Sequence, residues 1–75
     1  MKLIDTILNN DKDNVIVAII WEKDGQYITT HASSSMGFDT LDKANRWLMT
    51  CKDVPLMTSD LIKMIPSEIL KEAYG

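Results

Sequence analysis

Val15-Ile16-Val17-Ala18-Ile19-Ile20-Trp21 is the stretch whose reading decides the fold. Five of its seven residues are β-branched, and the run is too short for a typical helix, so it predicts a strand over Val15 to Glu22. Lys23-Asp24-Gly25-Gln26 follows, and Asp-Gly supplies the positive φ that a tight hairpin turn requires. Tyr27-Ile28-Thr29-Thr30-His31-Ala32-Ser33 is β-prone and more polar, and is expected to return as the second strand. The first strand is apolar on both sides. Val15, Val17, Ile19 and Trp21 alternate with Ile16, Ala18 and Ile20, so both faces must be covered.

Outward from the hairpin, the pattern turns helical. Leu3, Ile4, Ile7 and Leu8 fall at i, i+1, i+4 and i+5, which predicts a helix over Lys2 to Asn9, joined to the strand by a polar connector, Asn9 to Asn14. Ser33 to Gly37 is expected to be a loop. A second helix starts near Asp39 or Thr40 and turns Leu41, Ala44, Trp47, Leu48 and Cys51 inward, and Lys52-Asp53-Val54-Pro55 ends it. A third begins at Thr58 or Ser59 and breaks at Ile65, because Pro66 cannot continue it. Ser67 can cap a last helix carrying Ile69, Leu70, Ala73 and Tyr74. The expected fold class is α+β, one small domain over residues 1–75. Its order is helix, β-hairpin, helix and broken helix, with a two-stranded antiparallel sheet packed by helices.

Composition narrows the function. The formal net charge is −3 and the basic residues are dispersed, so the basic stripe of a duplex nucleic-acid binder is missing. The longest apolar run is seven residues, far short of a membrane span. Cys51 is the only cysteine, and Asp5 interrupts the first apolar segment, so no disulfide framework or signal-peptide region is readable. A cytoplasmic location is expected, in a host cell if the chain is phage-encoded.

The chemistry-bearing residues do not form motifs. His31 and Cys51 are the one imidazole and the one thiol, two ligands where structural zinc takes four. Asp11-Lys12-Asp13-Asn14 lacks the glycine and the closing glutamate of a calcium loop. Ser33 to Gly37 precedes a helix but is followed by Asp39 and Asp42 where a phosphate would sit, and no P-loop lysine follows. We therefore expect no catalytic residue, no metal and no cofactor, and no enzyme.

What remains is binding to another protein. Three surfaces compete. The first is the free edge of strand 15–21, which would pair with a second copy in a homodimer. The second is the C-terminal helical pair from Leu56 to Tyr74, whose apolar residues exceed one stripe. The third is acidic, from Asp11, Asp13, Asp24, Asp39 and Asp42. Candidate protein-binding residues are Trp21, Tyr27, Leu56, Met57, Met64, Ile65 and Tyr74. The expected function is that of a small non-enzymatic protein-binding regulator or inhibitor, an accessory protein of the kind phages and mobile elements encode. Two alternatives come from other classes. One is single-stranded nucleic-acid binding by stacking on Trp21 and Tyr27; the other is a small enzyme using His31.

Overall fold

In the computed structural model, residues 1–9, 15–49 and 56–75 are described. Asp11, Asp13, Cys51 and Pro55, with the calcium-loop reading and the Asn10 to Asn14 part of the connector, lie outside them.

The predicted hairpin is present as β2 (Val15–Lys23) and β3 (Gln26–His31). Asp24 and Gly25 take φ of 51° and 78° between the paired residues Lys23 and Gln26, a two-residue turn with positive φ at both central positions. The sheet does not stop there. Lys2–Asn9 is a strand, β1, and Ser34–Phe38 is another, β4. The four pair antiparallel in the order β1-β2-β3-β4. The helix-first order and the two-stranded sheet are therefore corrected to a four-stranded meander followed by α1 (Leu41–Met49), α2 (Ser59–Met64) and α3 (Ser67–Tyr74).

The misleading spacing in β1 has a physical source. Leu3 pairs with Trp21 and Asp5 with Ile20, so Ile4 is an extra residue in β1; Ile7 pairs with Ala18 and Leu8 with Ile16, so Val17 is an extra residue in β2. Each extra residue is a β-bulge that shifts the two-residue alternation by one position. Leu3 packs on one side of the sheet, Ile4 and Ile7 on the other, and the sequence spacing imitates a helical stripe. The bulge at Val17 also explains why Ile16 joins Ile19 rather than Ala18.

β4 was hidden for a different reason. Ser-Ser-Met-Gly-Phe has weak strand preference, and the turn before it, Ala32-Ser33, carries neither the glycine nor the asparagine that usually supplies a positive φ. Ala32 nevertheless adopts φ 48°, a left-handed conformation that costs a β-carbon about 1–2 kcal/mol. The Ala32 carbonyl accepts a hydrogen bond from Thr58 N–H at 2.9 Å, tying this turn to the start of α2. The second strand thus ends at His31, two residues short of the sequence expectation.

Both faces of β2 are covered, as its two-sided apolar character requires. On one face Ile19 and Trp21 lie beneath Met57, Leu61, Ile65 and Ile69 of the α2–α3 layer. On the other, Ala18 and Ile20 lie beneath Leu48, with Leu41 and Trp47 of α1 and Ile4 and Ile7 of β1 around them. The result is a helix–sheet–helix sandwich. Both strands flanking β2 are supplied by this chain, so the expected free edge of strand 15–21 does not exist. The polar character of β3 is also accounted for. Thr30 Oγ1 donates to the Ile19 carbonyl at 3.2 Å and Thr29 Oγ1 to that of Met36 at 3.3 Å, so two buried hydroxyls are satisfied by neighbouring strands.

The helix boundaries follow local chemistry. Thr40 Oγ1 accepts from Lys43 N–H and Thr58 Oγ1 from Leu61 N–H, capping α1 and α2. The Ile65 N–H bonds the Ile62 carbonyl as α2 ends before Pro66, whose carbonyl then receives the first bonds of α3.

Candidate functional site

The helical layer over the Ile19–Trp21 face uses one side of each helix for the core. Leu61, Ile65 and Ile69 are buried there. The apolar residues left over, Ile62 and Leu70, are half-buried, and with Lys71, Tyr74 and Gly75 they line an open groove of about 470 Å³. A volume of that size could hold a drug-sized molecule, but such sites normally enclose most of their ligand. This one is open to solvent, so it suits a side chain or two presented by a macromolecule. Tyr74 is 55% exposed at its rim. Leu56 and Met64 are exposed in the same C-terminal segment, Met64 at 74%. Lys71 brings the one charged side chain among the lining residues.

The candidate residues divide by position. Leu56, Met64 and Tyr74 are exposed as a contact surface requires; Met57 and Ile65 are core residues at 7% and 3% exposure. Trp21 is equally buried, with its Nε1 enclosed and without a hydrogen-bond partner. Tyr27 pairs with Glu22 while Trp21 pairs with Ile28, so the two aromatic rings leave the sheet on opposite faces. They do not form a shared stacking platform. Ile62, Leu70 and Lys71 are groove residues that the sequence reading left out of its candidates. The surplus of apolar positions around the helical axis was the signal that could have found them.

The acidic candidates among the described residues, Asp24, Asp39 and Asp42, do not form one patch with a shared role. Asp24 sits in the hairpin turn. Asp39 is bonded to Lys43 at 2.9 Å and Asp42 to Arg46 at 3.1 Å, each one helical turn apart and exposed. The hydrogen bond from Lys43, reinforced by its charge, lowers the Asp39 pKa from the ordinary 3.8. Surface pairs of this kind steady α1 only slightly.

His31 lies on the α1 side of the sheet, 8% exposed, with its ring edge-on to Trp47 at 4.4 Å between centroids. Its Nδ1 is enclosed with no partner. Among the described residues, no three of His, Cys, Asp and Glu gather closely enough to hold a metal ion. Among the described residues no acid is ion-paired with the imidazole; its neighbours are Ala18 and Ser34 across the strands and Trp47 above. Burial disfavours the charged ring and lowers its pKa from 6.5. The sign of the consequence is definite. The unfolded chain protonates first as pH falls below 6.5, so folding stability declines with acidification until the folded state takes up the proton too. Urea midpoints measured from about pH 7 to about pH 5 are expected to fall in the native chain, and to lose that slope in His31→Gln. Asp39 contributes in a separate window, lost only as pH falls through and below its ordinary 3.8.

No helix among the described residues is long and apolar enough to cross a membrane. No protein-family model, curated protein or solved structure matches this chain.

Proposed function

We propose that this chain is a small protein-binding regulator or inhibitor that acts by occupying a partner's surface through its α2–α3 layer, without catalysis of its own. The observation that supports this reading is the open apolar groove between Ile62, Leu70 and Tyr74, edged by Lys71. Exposed apolar surface rimmed by polar groups is where soluble proteins meet partners. The chemistry selects a partner segment that offers an apolar side chain to the groove and a carboxylate to Lys71. Tyr74 is the residue expected to carry most of the energy, since a part-exposed tyrosine at a groove rim brings a rigid, amphipathic contact area.

The test is a comparison of two exposed substitutions. Tyr74→Asp alters the groove, whereas Met49→Asp changes a residue of α1, in the layer on the opposite face, that is 76% exposed. Stoichiometric capture of one partner from the native cell is expected with the unaltered chain and with Met49→Asp. Tyr74→Asp should weaken that complex by about 2 kcal/mol or more, roughly thirtyfold. A complex equally sensitive to Met49→Asp, or indifferent to Tyr74→Asp, would place binding elsewhere.

A further inference from the structure

The sheet has two outer strands, and they differ in how they are guarded. β1 carries Lys2 and Asp5, its pairing with β2 is broken by two register shifts, and α3 packs against it. Charges, bulges and a covering helix are the devices by which natural sheets discourage a further strand from adding. β4 carries neither charges nor bulges, and the helix that packs against it, α1, lies across the face it shares with β3. Ser34-Ser35-Met36-Gly37-Phe38 contains no charge and no proline, and it pairs with β3 without a register break from Phe38 to Ser34. Among the described residues no strand pairs with its outer side.

We propose that β4 is a self-association edge. Two copies of this chain pair β4 to β4, antiparallel, about a twofold axis through Met36, and so join their sheets into one. The occupant is a second copy because the segment is complementary to itself. Centred on Met36, this register sets Ser34 opposite Phe38 of the other copy and Ser35 opposite Gly37. Each large side chain then meets a small one, apart from the two methionines at the axis. An antiparallel pair centred on a residue also exchanges its backbone bonds symmetrically, as a twofold contact requires.

Three further observations agree. Met36 is 43% exposed at this edge and pairs with Thr29, on the face that also carries Phe38 and Trp47. A methionine from a second copy would extend that apolar face. Gly37 is not demanded by the fold, because its φ is not positive and an added β-carbon would meet only the end of the Gln26 side chain, 3.3 Å from Oε1. Close approach of another backbone is one of the recurring reasons for a glycine inside a strand, and β4 shows no bulge that would be another. Finally, α1 lies over β3 and β4 with its exposed charges as two opposite-sign pairs, Asp39–Lys43 and Asp42–Arg46. Two copies brought side by side therefore offer each other both signs.

A five-residue edge buries little, which sets the contact at the weak end of specific interfaces. Sedimentation equilibrium from low micromolar to millimolar chain is expected to show a reversible monomer–dimer equilibrium. Met36→Lys places two like charges at the axis and should weaken the dimer by ~10-fold or more, while Met36→Leu should retain it. Circular dichroism is the check that both variants stay folded, and native-like spectra are expected. The register is read independently in a Cys51→Ser background. There Met36→Cys should oxidise to a disulfide-linked dimer, since paired strands bring the axial residues within disulfide reach, whereas Ser34→Cys should not. A monomer at every concentration overturns the proposal. So does a dimer unaffected by Met36→Lys, or one cross-linked equally well through Ser34→Cys. Tyr74→Asp is expected to leave this equilibrium unchanged, which keeps it distinct from the groove.

Discussion

Replacing Ile20 with alanine is expected to cost about 2–5 kcal/mol of folding stability, the range for truncating a fully enclosed isoleucine whose surroundings only partly collapse. Ile20 has no exposed surface and packs between Leu48 and the β1 isoleucines. A domain of 75 residues holds only about 4–11 kcal/mol in total, so this one change consumes a large share. Ile19→Ala should cost a comparable amount from the opposite face, where Ile19 sits under Met57, Leu61 and Ile69. The two side chains leave β2 on opposite sides and belong to separate clusters. Their combined cost is therefore expected to be close to additive, and the double variant should not fold. Urea denaturation of the three variants checks this. A cost below about 1 kcal/mol for either single change would mean that its face of the sheet is not covered as described.

Ile69→Asp is expected to be more severe than either single truncation. Ile69 is 1% exposed in a cluster whose other buried members are Ile19, Trp21, Met57, Leu61 and Ile65. Trp21 Nε1, enclosed in that cluster without a partner, has a single proton to donate and is uncharged. A carboxylate placed there loses its hydration with no cation to meet it, which costs about 4 kcal/mol or more. The α2–α3 layer should detach from the sheet and Trp21 should become wet. The expected readout is a red-shifted tryptophan emission with a collapsed urea midpoint. Met64→Asp, on the outward side of α2, supplies the contrast and should change stability by no more than about 0.5 kcal/mol. Equal damage from both substitutions would contradict the assignment of inner and outer sides to these helices.

These contrasts show why the candidate surface was only partly legible. Met57, Met64, Leu61, Ile62, Ile65, Ile69 and Leu70 are all apolar at helical spacings. Periodicity reveals that a stripe exists, but a broken helix has two axes, and each segment chooses its inner side from the sheet beneath it. Met57 and Ile65 were taken into the core, while Met64 and Tyr74 were left outside. Trp21 shows the same ambiguity in a strand. An aromatic residue beside a hairpin turn suits either a stacking surface or a core, and the helical layer above it decided for the core.

The sequence by itself determined the β2–β3 hairpin and the C-terminal helices. Those features depend on local chemistry: β-branched density, an Asp-Gly turn, threonine caps at Thr40 and Thr58, and a proline that stops α2. Lys2–Asn9 and Ser34–Phe38 became strands only in the tertiary structure. Neither has a strong propensity, the first is disguised by two bulges, and the second follows a turn that Ala32 makes against its own preference. Their backbone groups find partners only when β2 and β3 are already in place, so their conformation is a property of non-local pairing. That pairing took the edge of β2 away from any partner and left an outer edge without charge or bulge at β4.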